Sequence, residues 1–209
     1  METIGLLSGI GHLPVDVALS AKSMGYRVIA VGVVPDIDPE LAEAVDAYYD
    51  IHIGKIGKII STLKKNDVKT VTMIGKVTKE LLYKAGAVVP DLRAIKILAS
   101  VPDRKDDTIM NAIVKELKGE GIKVMDQTLL IQPLLPPPGV LTQRMPTEAE
   151  VADMDFGFAM AKEIGRLDIG QTVVVKDRAL MAVEAIEGTD ACILRGGTLG
   201  KGVIVAKTA

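Results

Sequence analysis

The amino-acid sequence predicts an α/β protein in two parts: a mainly parallel sheet with helices, then a smaller α+β domain. Three observations carry this. From residue 3 to about residue 126, short apolar runs alternate with helix-periodic segments, the pattern of a right-handed parallel sheet. The stretch "QPLLPPPGVLT" (132–142) then breaks the pattern with four prolines and a glycine, which favour a stiff, extended connector. Beyond it the texture changes to one helix and several short strands joined by glycine-bearing turns. The expected division is a domain over 1–132, a Pro-rich linker over 133–146 and a second domain over 147–209. That second part, about sixty residues, is small for an independent core. It is expected to be incomplete by itself, packing on the first domain, on a second subunit or on sequence outside this chain.

In order, "TIGLLS" (3–8) is a short apolar strand, and "GIGHLP" is a turn. Residues 15–24 have helical spacing through Val17, Ala21 and Met24, and "YRVIAVGVV" (26–34) is an uninterrupted apolar run, the mark of a buried parallel strand. A helix from Pro39 to about Ala47 and a strand at "YYDIHI" follow. The next helix carries Ile56, Ile59, Ile60 and Leu63 on one face, with Lys55, Lys58, Lys64 and Lys65 mostly off it. "TVTMIG" (70–75) is a strand, and helices are expected over much of 78–99. "DRKDD" opens a helix marked by Met110, Ile113, Val114 and Leu117, and "GIKVMD" closes the domain with a strand. In the second domain Thr147 and Glu150 of "TEAE" form a capping box that starts a helix running to about Ile164. Strands are expected at 171–176, 179–186 and 202–206.

Composition narrows the class of function. With 48% hydrophobic and 25% charged residues and a net charge of −2, the chain reads as a soluble globular protein. Aromatic residues make up 3% with no Trp, and the charge is near balance, so a nucleic-acid partner is not expected. A single cysteine, Cys192, cannot form an internal disulfide, which points to a reducing cytoplasm. The opening "METIGLLSGIGHLP" lacks the basic lead of a signal peptide, and no apolar stretch is long enough to span a membrane.

Three stretches can carry chemistry. "GIGHLP" (Gly9–Pro14) sits between a strand and a helix, where dinucleotide-binding folds keep a phosphate loop. Gly9 and Gly11 would let the backbone approach a phosphate, His12 could touch it, and Asp36 or Asp38 could hold a ribose. The third glycine of that fingerprint is replaced by Pro14, so a merely tight turn is the competing reading. His52 alternates with isoleucines and reads as structural; two histidines so far apart do not suggest a histidine zinc site. In "DRKDD", Asp106 and Asp107 could bind Mg²⁺ as hard oxygen ligands, or could simply favour a helix start.

"AVEAIEGTD" (182–190) is the most informative stretch, because Glu184, Glu187 and Asp190 stand in an otherwise apolar run. Unpaired buried carboxylates cost several kcal/mol, so such acids need partners. Read as a strand, Glu184 and Glu187 point to opposite faces, and a turn at Gly188 swings Asp190 toward Glu187. Gly188 and Thr189 would offer an amide and a hydroxyl to a ligand. The cluster could hold a divalent metal against a diphosphate or orient a water for attack. The alternative is an ion-paired network with Lys176, Arg178 or Arg195. Cys192 reads as core.

Taken together, "GIGHLP", "DDTIM", "PPPGVLT", "DIGQTVVV" and "AVEAIEGTD" resemble the LpxI family of UDP-2,3-diacylglucosamine pyrophosphatases, over essentially the whole chain. The resemblance implies a Rossmann-like N-terminal domain and hydrolysis of UDP-2,3-diacylglucosamine to UMP and 2,3-diacylglucosamine 1-phosphate (lipid X) in lipid A biosynthesis. It also implies Mg²⁺ dependence, a homodimer, a site between two domains, and peripheral association with the cytoplasmic face of the inner membrane. The expected catalytic residues are Glu184, Glu187 and Asp190, and Gly9, Gly11, His12, Gly188 and Thr189 are expected on the lipid-linked nucleotide sugar. Metal ligands are expected among Glu187, Asp190, Asp106 and Asp107. In this family further chain is expected after the last strand, with a segment resembling "QDxRxDLP", whereas this sequence stops at "GVIVAKTA". The expectation from that departure is a polypeptide that binds substrate and turns it over poorly. The alternative function is a non-catalytic nucleotide- or lipid-binding protein with a Rossmann-like domain.

Overall fold

β1 (Thr3–Ser8) lies at the centre of a five-stranded, all-parallel sheet in a computed structural model that describes residues 1–77, 89–102 and 106–208, with the side chains of Asp106 and Asp107 outside the description. Its neighbours are β2 (Arg27–Gly32), β3 (Ala47–Asp50), β4 (Thr70–Ile74) and β5 (Lys123–Val124), in the order β3-β2-β1-β4-β5. A parallel sheet needs cover on both faces, which is why β1 and β2 are apolar at successive positions rather than alternate ones. Ile4, Leu6, Val28 and Ala30 point to the side of α1 (Leu13–Ser23) and α2 (Glu40–Ala44), meeting Val15, Val17, Ala18 and Leu41. Leu7, Ile29, Val31 and Val71 point to the other side, where α3 (Ile56–Lys65), α4 (Leu92–Ser100) and α5 (Asp106–Gly119) pack. The isoleucine stripe of α3 is buried as its spacing predicts. The strand order reverses between β1 and β4, and this opens a crevice at the carboxyl ends of those two strands.

The chain divides into two compact units, Met1–Pro137 and Pro138–Ala209. The second unit consists of α6 (Glu148–Arg166), β6 (Thr172–Lys176), β7 (Ala179–Val183), α7 (Thr189–Leu199) and β8 (Ile204–Lys207). Its three strands are antiparallel in the order β7-β6-β8. α6 covers one face, with Ala161 against Val173, Val175 and Ala206; α7 covers the other, with Cys192 against Val174 and Ala182. Both helices approach through a glycine. A Cβ on Gly157 would stand 2.9 Å from Ala206 Cβ, and one on Gly196 2.6 Å from Val174 Cγ1.

α6 starts with the predicted capping box, the Thr147 side chain accepting from Glu150 N and the Glu150 carboxylate accepting from Thr147 N. Arg144, 2.7 Å from that carboxylate, is the main reason the Glu150 carboxyl is held down to about 2. One turn on, buried Asp153 accepts from the amides of Asp177 and Arg178 at 2.9 and 2.6 Å. Those two residues turn the β6–β7 hairpin at φ 50° and 56°, and Asp153 pins them there. Asp153→Ala is expected to cost about 3 kcal/mol, because two turn amides lose a charged acceptor. A chemical-denaturation midpoint within error of wild type would show that the turn holds without it.

One expectation is corrected here, and one helix was not foreseen. The strand expected over 179–186 ends at Val183, so Glu184 and Glu187 do not lie on opposite faces of a strand. The apolar "ACIL" belongs to α7, which begins at Thr189 after Gly188, a residue at φ 85°. Cys192 and Gly196 are four apart and both face the sheet, a helical spacing that a four-letter apolar run conceals. The helices expected over 78–99 are described only as Leu92–Ser100, since 78–88 lie outside the described residues.

Candidate functional site

In the first unit, the loop after β1 is stitched to the end of β4. Gly9 N donates to Ile74 O at 2.8 Å, Ile10 N to Lys76 O at 2.8 Å, and Lys76 N to Ile10 O at 2.9 Å. The backbones are so close that a Cβ on Gly9 would lie 2.5 Å from Lys76 O. Gly9 therefore serves strand closure, with its amide already engaged. Gly11, at φ 108° with nothing near its missing side chain, turns the chain into α1. His12 is the N-cap residue of α1 but makes no side-chain cap, so the Gly11, His12 and Leu13 amides carry no backbone bond among the described residues. A phosphate loop here would use these three amides and the positive end of α1.

His12 reaches across the loop to Asp38, with Nδ1 2.8 Å from Oδ2, while Asp38 Oδ1 accepts from Glu40 N. The hydrogen bond to Asp38 is the main cause of a His12 pKa above its ordinary value, and the same bond is the main cause of an Asp38 pKa below its own. The loop after β2 thus supplies an acid to the histidine after β1. His52 follows β3, and its Nδ1 accepts from Gly54 N at 3.2 Å, a local structural contact.

In the second unit, the acids of "EAIEGTD" gather around the start of α7. Thr189 Oγ1 donates to Glu184 Oε1 at 3.0 Å and accepts from Lys207 Nζ at 2.9 Å; Thr172 Oγ1 lies 3.3 Å from Thr189 Oγ1. Lys207 is there because β6 and β8 pair with Thr172 opposite Lys207. Glu184 is there because β7 hands the chain on through a bond from Glu184 N to Thr172 O at 2.9 Å. Partial burial pushes the Glu184 pKa up, but hydrogen bonds from Thr172, Thr189 and the Gln171 amide, with the Lys207 charge, outweigh it and leave the carboxyl below its ordinary value. Glu187 faces away into an ion pair with Arg195 at 2.6 Å, and its other oxygen accepts from Ala185 N. Arg195 also donates to Val183 O, so Glu187 and Arg195 tie the loop down. Asp190 sits in the first turn of α7, and Gly188 caps that helix with no side-chain bond. Burial raises the Cys192 thiol pKa, as suits a core residue.

Glu184 and Thr189 therefore meet through a hydrogen bond at the start of α7, where Gly188 and Asp190 also stand, while Glu187 is engaged by Arg195. Lys207 and Thr172 were not foreseen, because only the strand register brings them to the cluster. Among the described residues no three His, Cys, Asp or Glu side chains are placed to hold a metal ion together. The carboxylate pair Asp106/Asp107 lies outside the described side chains.

Comparison with known proteins follows the same division. Residues 3–134 match the LpxI N-terminal domain and residues 137–209 the LpxI C-terminal domain. The UDP-2,3-diacylglucosamine pyrophosphatase LpxI of Caulobacter vibrioides is 34% identical over 206 residues, 97% of this chain and 72% of that protein. Among solved structures, N5-carboxyaminoimidazole ribonucleotide synthetase from Thermotoga maritima aligns at 19% identity and TM-score 0.34, over 84% of this chain and 34% of its own. Glycinamide-RNase-transformylase T from Mycobacterium tuberculosis aligns at 9% identity and TM-score 0.36, over 100% of this chain and 43% of its own. The chain thus spans less than half the length of those two structures. Matched by LpxI domains in both of its parts and by a curated LpxI relative across nearly its whole length, the chain belongs to the LpxI family.

Proposed function

We propose that the protein hydrolyses the diphosphate of UDP-2,3-diacylglucosamine to UMP and 2,3-diacylglucosamine 1-phosphate, a step of lipid A biosynthesis. The observation that carries this reading is membership of the LpxI family in both parts of the chain. The Lys207–Thr189–Glu184 cluster gives it a chemistry. A diphosphate hydrolase needs cationic and hydrogen-bonding groups held ready where negative charge builds up on the phosphoryl oxygens. Lys207, the hydroxyls of Thr172 and Thr189, and the first amides of α7 are such groups. Glu184 orders them: it accepts the hydrogen bond of the Thr189 hydroxyl, so that Thr189 in turn accepts from Lys207 and fixes the ammonium. We assign Asp190, in the first turn of the same helix, to the attacking water, and Glu187 to holding the loop through Arg195. Mg²⁺ bound to the diphosphate would neutralise phosphate charge, with Asp190 as its protein ligand.

The reading includes attack of water on the phosphorus attached to the sugar, a homodimeric assembly and peripheral work at the cytoplasmic face of the inner membrane. Among the described residues no helix is long and apolar enough to cross a membrane, and exposed Leu141, Met145 and Leu194 offer apolar surface for contacts of that kind. Sedimentation velocity, with and without vesicles, tests the assembly and the membrane contact. The decisive assay is incubation with UDP-2,3-diacylglucosamine in ¹⁸O water, with Mg²⁺ or with chelator. The expected result is UMP without label, labelled sugar phosphate, and loss of turnover under chelation. Label in UMP would move the attack to the other phosphorus. UMP binding with no UMP formation from substrate would leave a non-catalytic nucleotide-binding protein.

A further inference from the structure

His12 joins two loops that follow neighbouring strands of the first sheet. It stands between β1 and α1, and its Nδ1 meets Asp38 Oδ2 at 2.8 Å in the loop between β2 and α2. Among the described residues this is the one side-chain hydrogen bond that ties those two loops together. Asp38 carries the contact onward. Its Oδ1 accepts from Glu40 N at 3.0 Å, and its carbonyl accepts from Leu41 N at 3.0 Å. Both bonds hold the first turn of α2, a helix of five residues whose N-cap, Pro39, makes no side-chain cap. On the other side of the tie, Gly11 has a φ of 108° and open space at its Cβ position, so nothing packs the glycine loop in place there.

The protonation state of His12 sets the strength of this tie. Asp38 occupies Nδ1, so the proton that comes and goes is the one on Nε2, 4.0 Å from Asp16 Oδ1 on α1. The ring thus faces Asp38 and Glu40 on the side of α2 and Asp16 on its own helix. The hydrogen bond to Asp38 does most to raise the His12 pKa; desolvation opposes it, and the charges of Asp38, Asp16 and Glu40 raise it further. By linkage, the tied loop takes up a proton more readily than a loose one. The tie is therefore strongest with the imidazolium present, and it weakens as pH rises through the raised His12 value. Asp38 is held below its ordinary value, first by the His12 hydrogen bond, and stays ionised over that range. An exposed pair adds little to the stability of a whole domain. In local opening the same pair is set against a single loop, and there it counts.

We propose that His12 and Asp38 form a proton-controlled clasp on the glycine loop, with Asp38 as the positioning residue. With His12 protonated, the loop is held against the start of α2, and the amides of Gly11, His12 and Leu13 are in place for the anionic part of the substrate. With His12 neutral, the loop loosens. The role toward substrate rests on the hydrolase reading, and the test separates the two. NMR of the protein follows the His12 ring and the Gly11 and Glu40 amides across pH. The His12 midpoint is expected above its ordinary value of about 6.5, with both amides moving at that same midpoint. Asp38→Asn keeps an acceptor for Glu40 N and removes the charge. It is expected to lower the His12 midpoint and to uncouple the Glu40 amide from it. Below the wild-type midpoint, the Glu40 and Leu41 amides of this variant should exchange with water about twofold to fivefold faster, the scale of one exposed ion pair. His12→Gln is expected to abolish the amide titration. A wild-type His12 that titrates at its ordinary value, a Glu40 amide that ignores it, or unaltered titration in folded Asp38→Asn would each overturn the clasp. With UDP-2,3-diacylglucosamine, whose diphosphate keeps its charge over this range, KM is expected to rise across the His12 midpoint and to follow it downward in Asp38→Asn. UMP formed with a KM flat across the midpoint overturns the proposal and leaves the hydrolase reading standing. A clasp that titrates as described in a protein that forms no UMP does the reverse.

Discussion

Lys207→Met is expected to lower kcat for UDP-2,3-diacylglucosamine hydrolysis by about 100-fold or more, the usual cost of removing one preorganised donor from developing charge. Lys207 is exposed and ends the short edge strand β8, so its replacement should change folding stability by no more than about 0.5 kcal/mol. Its ammonium lies 2.9 Å from Thr189 Oγ1 and 3.4 Å from Thr172 Oγ1, beside the first turn of α7. Without it the cluster retains Glu184 and Asp190, two acids that repel a diphosphate. Lys207→Arg keeps the charge but replaces a compact ammonium with a planar fork, and partial activity is the expected result. A kcat within about threefold of wild type in folded Lys207→Met, read against the scale of such losses, would remove Lys207 from the reaction and leave it a surface contact.

Gly9→Ala is expected to destabilise the first unit by about 3 kcal/mol, the upper part of the range for forcing an extra carbon into a packed site. The added Cβ would stand 2.5 Å from Lys76 O and 2.8 Å from Gly75 C. Both are backbone atoms in a paired segment, so no side-chain rotation relieves the clash, and separation breaks the Ile10–Lys76 pairing. Gly11→Ala makes an instructive contrast. Nothing lies within 4 Å of its Cβ position, and the cost there is the φ of 108°, about 1–2 kcal/mol of backbone strain. Chemical denaturation of the two variants should therefore rank Gly9→Ala as the more damaging. The opposite rank would mean that the β1 and β4 loop ends do not approach as described.

Much of the architecture was legible because it is local. The unbroken apolar runs of β1 and β2, the four-residue spacings Ile56/Ile60 and Ile59/Leu63 on α3, and the Thr147–Glu150 box each depend on residues within about one turn or one strand. The glycine loop and the "EGTD" stretch were legible as chemistry because their residue types are costly where they stand and call for a partner. Which partner was another matter. His12 finds Asp38 across 26 positions, and Glu187 finds Arg195 across eight. The first pairing has no sequence signature, and for the second the sequence offered Arg195 only as one of three candidate cations.

By itself, the sequence determined the α/β class, the parallel first sheet, the helix start at Thr147 and the membership that its motifs suggested. Only the tertiary structure decided that "ACIL" is helical, that Gly9 is closed against β4, and that Lys207 and Thr172 join Glu184 and Thr189. The reason is physical. Periodicity records which face of an element is buried, a property of neighbours along the chain, so it survives in the sequence. Strand register and helix–sheet contact are settled by the fit of distant surfaces, here Gly196 against Val174 and Thr172 opposite Lys207. A run as short as "ACIL" suits a strand or a helix equally until such a surface is present to bury it.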